Sequence, residues 1–356
     1  MLPQITHQIL LERELPVAFA TKLSFILRGR PGVGKTESIA EFCKHMKIGY
    51  IDSRVLYFDP TDIKGFPSLD KKAKSFEWLP PAEFPLEGSD TADSGIWVME
   101  ELPLAAPAVQ GALFQVINER RVGQRKVKPG WLILATGNSL TDKAGAQKML
   151  SPMVSRLRHI ELVVGAEDWA VYALNHGVMP EMVAFFRFRP ELLNSFDPQK
   201  WEQDTPYCCP RTAHFLSRTI QALPAHQQSK PPIDILTGWV GEGVGTELYA
   251  FLDICNSLPS WAEILRDPTG VGIPQKPGHL YALSSLVSRN ATKDNAKQVF
   301  AMLDRKDFPD ENVMHVVCDM MRGPQGAPIS TTPEFTTWGA RNLKVFEQLH
   351  GLVPGK

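Results

Sequence analysis

Two kinds of hydrophobic pattern divide this chain. Short, unbroken apolar runs recur in its first half: Phe25-Ile26-Leu27, then Gly95 to Leu102 (GIWVMEEL), then Trp131 to Ala135 (WLILA). Such runs predict strands buried on both faces, as in a parallel sheet covered by helices. Arg54 to Phe58 (RVLYF) reads as another strand, and residues 147 to 164 as a short helix followed by a strand. Helical spacing fills the intervals. Leu2, Ile5 and Ile9 predict a short amphipathic helix within residues 1 to 15 that stops before Pro16, with no chemistry assigned to it. Residues 36 to 46 predict a helix ended by Gly49, and Val109 to Glu119 places Val109, Leu113, Val116 and Ile117 on one face. From about residue 166 the pattern is mostly helical: Asp168 to Asn175, Met179 to Phe186, Arg211 to Ile220, Tyr281 to Val287 and Asn312 to Met321, with Pro180, Pro190 and Pro198 as boundaries. The expectation is an α/β first half and a helical remainder.

The polar residues that interrupt this pattern carry the chemistry. After Phe25-Ile26-Leu27 comes Gly29-Arg30-Pro31-Gly32-Val33-Gly34-Lys35-Thr36, spaced as G-x-x-x-x-G-K-[ST] and followed by a helix. Gly32 and Gly34 permit positive φ and close backbone approach, so that successive N–H groups and a helix N-terminus face a phosphate. Lys35 suits the β- and γ-phosphates, and the Thr36 hydroxyl suits Mg²⁺. Glu100 and Glu101 end the second apolar run. In an open α/β sheet ligands sit beyond the carboxyl ends of strands, which places both acids beside the phosphates. Adjacent strand residues point to opposite sides, so one carboxylate suits the metal and the other a water. Asn138 leaves the third run at the same sheet edge, where its amide suits a γ-phosphate or attacking water.

Two further stretches stand out. Ser68 to Pro85 carries Lys71, Lys72 and Lys74 between short apolar runs and reads as a hairpin or projecting loop. Arg120, Arg121, Arg125, Lys126 and Lys128 form a local basic patch. Gly238 to Gly245 is Gly-rich but lacks a Lys-Ser/Thr ending and precedes an apolar helix, so it reads as packing.

Composition adds limits. With 43% hydrophobic and 22% charged residues and a formal net charge of -1, the chain is an ordinary globular one with no global field for nucleic acid or an anionic membrane. Five cysteines without C-x-x-C spacing, and no signal-like apolar start, point to reduced thiols and a cytoplasmic location. No apolar run approaches the roughly 20 residues that span a bilayer.

Taken in order, these pieces resemble an AAA+ ATPase, more narrowly the MoxR group with its CbbQ and NorQ type proteins. The resemblance covers roughly residues 20 to 220. It implies an α/β P-loop NTPase αβα sandwich with a C-terminal helical lid and a further helical extension: a nucleotide-binding core with hairpin insertions over residues 1–165, the lid over 166–258 and the extension over 259–356. Glu100 and Glu101 in MEELPLAAPAVQGALFQVINERRV match the Walker B element, Asn138 in ATGNS matches sensor 1, and Arg211 in Cys209-Pro210-Arg211-Thr212 matches sensor 2. Arg156 falls at the arginine-finger position, with Arg158 as the second candidate. ATP and Mg²⁺ are the implied cofactors, with Thr36 and Glu100 toward the metal and Glu101 as base. The implied partners are copies of this chain in a hexameric ring and a protein client, often one with a von Willebrand factor A domain. The family position is normally Asp where this chain has Glu100, and the extra methylene shifts the carboxylate by about 1.5 Å. That departure motivates one alternative, an ATP-binding structural switch with weak hydrolysis. The basic patch motivates another, a nucleotide-gated nucleic-acid-binding ATPase.

Overall fold

The structure is a computed structural model and describes residues 2–70, 75–139, 149–197, 205–323 and 325–342. Lys71, Lys72, Lys74, Pro198 and the last part of the expected extension lie outside the described residues. The chain divides into two compact units, Met1–Val164 with Asp197–Trp201, and Gly165–Phe196 with Glu202–Lys356.

Six parallel strands build the first unit: β1 (Gln4–Ile5), β2 (Phe25–Arg28), β3 (Gly49–Arg54), β6 (Ser94–Glu100), β9 (Gly130–Gly137) and β10 (Arg158–Leu162), in the order β1-β10-β2-β9-β6-β3. Two antiparallel hairpins project from it, β4 (Phe66–Asp70) with β5 (Ser75–Leu79) and β7 (Arg121–Val122) with β8 (Arg125–Lys126). The unbroken apolar runs are explained by the two covered faces. Phe25 and Leu27, Ile96 and Val98, and Leu132 and Leu134 pack with Ile39, Phe42 and Cys43 of one helix. Their alternates Ile26, Trp97, Met99, Ile133 and Ala135 pack with Val109, Leu113 and Val116 of another. Neither face of the sheet is left to water, so the period of two never shows in the sequence.

The helices of this unit are α1 (His7–Ile9), a π-helical turn over Leu10–Glu14, α2 (Leu15–Thr21), α3 (Lys35–Met46), α4 (Pro60–Lys64), α5 (Pro107–Glu119) and α6 (Ser151–Val154). Several expectations need correction. Residues 1 to 15 are not one helix stopping before Pro16: Gln4–Ile5 joins the sheet edge, and helix runs on past Pro16. The widened turn just before it, where the Leu15 N–H reaches back to Leu10, absorbs the missing proline donor. The strand expected at Arg54 to Phe58 lies earlier, at Gly49–Arg54, and Val55–Tyr57 is a 3₁₀ turn. Helix α3 ends one turn before Gly49, at Lys47 in the left-handed conformation with φ 55°.

The second unit is helical: α7 (Ala166–Asn175), α8 (Pro180–Phe188), α9 (Pro210–Gln221), α10 (Ala225–Gln228), α11 (Ile233–Val240), α12 (Glu242–Ser257), α13 (Trp261–Arg266), α14 (Pro277–Asn290), α15 (Ala296–Leu303), α16 (Asp310–Arg322), α17 (Gly326–Ser330) and α18 (Pro333–Arg341). A core of Leu283, Val287, Phe300, Val316, Val317 and Trp338 joins its later helices. The Gly-rich stretch is an interhelical contact. A Cβ on Gly245 of α12 would come 2.8 Å from the Thr237 backbone nitrogen of α11.

Candidate functional site

The site grows from the carboxyl ends of β2, β6 and β9. Counting the five strands after β1 in chain order, the sheet reads 5-1-4-3-2, so connections leave β2 to one side and later return across it. Ligands of open α/β sheets bind at such a reversal. The loop from Gly29 to Gly34 occupies it. Gly32 has φ 72° and Gly34 φ 84°, the left-handed values the spacing demands. Gly34 caps α3, and a Cβ on Gly29 would meet the Leu162 carbonyl at 2.8 Å. The loop is therefore pressed against β10 on one side and opens α3 on the other. Lys35 Nζ donates to the Gly29 carbonyl at 2.9 Å and the Arg30 carbonyl at 3.2 Å, so the lysine arches back over the loop.

Two oxygen donors converge beneath it. The Thr36 hydroxyl hydrogen-bonds Glu100 Oε1, joining α3 to the end of β6. On the neighbouring strand Arg54 pairs in register with Glu100, and its Nε lies 3.5 Å from Glu100 Oε2. Asp52, one pleat earlier, feels the same carboxylate: burial and then the Glu100 charge push its carboxyl up to about 6, against the opposing pull of Arg54. A hydroxyl and a carboxylate meeting at a phosphate loop form the hard-oxygen donor set that Mg²⁺ takes when phosphates and waters complete its shell. Among the described residues there is no group of three or more His, Cys, Asp or Glu that would hold a metal without such help.

Glu101 departs from simple strand alternation. It leaves β6 with φ 57°, one of four non-glycine residues at positive φ among those described, and its N–H donates to Thr136 Oγ1 of β9 at 3.3 Å. A turn, and not the pleat, separates the two acids. Backbone held in this sparsely populated region is common at functional sites. Asn138 follows the end of β9, and its carbonyl accepts from Arg28 Nη1 at 3.1 Å.

Arg156 and Arg158 are engaged by other partners. Arg156 is exposed, donates from Nε to Asn118 Oδ1 at 2.9 Å and lies over the Phe114 ring at 5.0 Å. Arg158 pairs with the buried Glu14, which also takes Arg13, so it ties the N-terminal helix to β10. Arg211 belongs to the second unit, exposed in the first turn of α9. The basic patch is largely consumed by the fold. Arg120 donates to the Lys128 and Trp131 carbonyls, Lys128 to those of Ser89 and Thr91, Arg121 to that of Gly123, and Arg125 pairs with Glu77. Three neighbours of the site carry no signal in the sequence pattern. Asp52 and Arg54 are hidden when the strand is placed a few residues late, and His7 gave no signal. Its ring lies against the phosphate loop, 3.3 Å from where a Cβ on Gly34 would stand.

No known family profile and no curated protein matches this sequence. Similar solved structures include a presumed ATPase from Cytophaga hutchinsonii (13% identity, TM-score 0.35, 98% of this chain and 91% of that one). NtrX from Brucella abortus is 13% identical with TM-score 0.41, over 82% of this chain and 62% of that one. The RuvB K64R mutant of Thermotoga maritima is 13% identical with TM-score 0.36, over 74% and 76%. Likenesses this slight add nothing to the strand order. That order, the phosphate loop between β2 and α3, and the helices on both faces establish the fold: the first unit is an α/β P-loop nucleoside triphosphatase sandwich.

Proposed function

We propose that this chain is a Mg-dependent AAA+ ATPase of MoxR-like type that remodels a protein client as a ring oligomer. The observation that supports it most is the Thr36–Glu100 contact, which brings the loop threonine and the strand-end acid to one point at the sheet's switch. ATP is held with its phosphates in the Gly29 to Thr36 loop. Thr36 and Glu100 would hold Mg²⁺, which when bound neutralises charge on the β- and γ-phosphates. Lys35 exchanges its loop carbonyls for phosphate oxygens. Glu101 orients the attacking water and accepts its proton, and Asn138 reads the γ-phosphate.

Arg156 serves a neighbouring subunit's site, because Arg158 is already committed to Glu14. Arg211 is the sensor 2 arginine of a lid over residues 166–258, and 259–356 is its helical extension. A von Willebrand factor A domain protein is the expected client. Most of the Arg120 to Lys128 patch is bound to carbonyls and acids of its own chain, which leaves little cationic surface for nucleic acid. Steady-state ATPase activity across a range of protein concentrations tests the proposal: turnover should rise with concentration in wild type and stay low in Arg156→Ala. A turnover independent of concentration, or no hydrolysis despite tight ATP binding, overturns the shared-site reading, and the second result favours a structural switch.

A further inference from the structure

Arg28 is the last residue of β2, directly before the phosphate loop, and it is 4% exposed. Strand alternation puts it on the same sheet face as Ile26, which packs in the core opposite α3. There the guanidinium lies under the start of the β9 exit loop. Nη1 donates to the Asn138 carbonyl at 3.1 Å and Nη2 to the Met149 sulfur at 3.2 Å. Its Nε is buried with no partner. Glu161, paired in register with Arg28 on the neighbouring strand β10, supplies the nearby negative charge but accepts its hydrogen bond from the Ser139 hydroxyl.

This is a poor arrangement for stability. A guanidinium removed from water, with its Nε–H unmatched and its acid turned to a serine, costs more than an apolar side chain of similar size in that place. It is a good arrangement for holding a backbone. Asn138 and Ser139 lie past the last ladder bond of β9, where the chain has no strand partner to fix it. Arg28 holds one peptide group from below and Glu161 holds the next side chain. The two holding residues sit on β2 and β10, the strands that flank the phosphate loop's root.

We propose that Arg28 is a positioning residue: with Glu161 and Ser139 it fixes the Asn138 backbone to the strand that begins the phosphate loop, setting the sensing amide in register with the phosphates. The inference rests on the proposed role of Asn138 in ATP hydrolysis. It places in the active machinery a buried cation that acts through the Asn138 backbone.

The test uses the full chain and the variants Arg28→Met, Arg28→Lys, Asn138→Ala and Arg28→Met/Asn138→Ala. Arg28→Met should melt no lower than wild type and bind ATP within about threefold, while kcat falls about tenfold or more, toward the Asn138→Ala value. The double variant should be no slower than Asn138→Ala alone, because both changes disable one device. Arg28→Lys should recover part of kcat. Amide exchange of the segment ending at Ser139 should quicken in Arg28→Met, a readout independent of hydrolysis. Wild-type kcat in Arg28→Met, or losses that multiply in the double variant, overturn the proposal. So does unchanged exchange. Should Arg28→Met not fold, Ser139→Ala carries the same kcat and exchange comparisons. Absence of ATPase activity in wild type would fail the functional reading, while faster exchange would still identify the clamp.

Discussion

At the residue scale, the site separates groups that do chemistry from groups that hold them. Glu101 is the proposed base, and its left-handed backbone and bond to Thr136 fix it apart from Glu100. Glu101→Gln should therefore lower turnover by about 10²- to 10⁴-fold with ATP affinity nearly unchanged, measured by phosphate release and equilibrium binding. Glu14 makes a contrasting case. It is 3% exposed, and burial raises its carboxyl, but the hydrogen bonds and charges of Arg158 and Arg13 outweigh that and leave it below the usual 4.5. A depressed carboxyl contributes stability above its unfolded value, and that contribution is lost as pH falls through the folded value. Arg158→Ala should lower unfolding free energy at pH 7 by about 1–3 kcal/mol, discounted toward the low end because Arg158 itself is half exposed. The deficit should shrink at acidic pH, as the carboxylate's contribution is lost through the lowered folded value. Urea titrations at the two pH values measure it.

At the scale of elements, the phosphate loop and three strand ends were readable because each has a local cause. Positive φ needs glycine, a doubly covered strand needs an unbroken apolar run, and a ligand edge needs the first polar residues after it. The strand misplaced to Arg54 through Phe58 shows the limit. Val55, Leu56, Tyr57 and Phe58 look more like a strand than Gly49 through Arg54, yet Gly49 is required where the Trp131 ring closes to 2.8 Å of its Cβ position. Pairing with β6 won over propensity, and with it came Asp52 and Arg54 beside Glu100. The Gly-rich stretch likewise answers to packing. Gly245→Ala places a methyl against α11 backbone, which cannot rotate away, so it should destabilise by about 1–3 kcal/mol in urea unfolding.

At the scale of the whole molecule, the proposed ring makes each site a shared one. Arg156 bends onto Asn118 and Phe114 of its own chain, so it must give up those contacts to serve a neighbour. Mixing Arg156→Ala with Glu101→Gln, each inactive alone, should then restore activity. In an equal random mixture about a quarter of the interfaces join an intact base to an intact arginine. No recovery on mixing would place Arg156 outside the site. Among the described residues no helix is long and apolar enough to cross a membrane.

By itself the sequence determined the sheet-and-loop character of the first unit, the helical character of the second and the residues of the phosphate cradle. Each of these depends on neighbours within a few positions along the chain. Only tertiary structure decided that Arg158 is spent on Glu14, that most of the basic patch is spent on its own hairpins, and that Arg28 lies under Asn138. The first and last of those pairings span 144 and 110 positions. Charge alone does not reveal them, because a cation's role depends on which acceptor the fold carries to it.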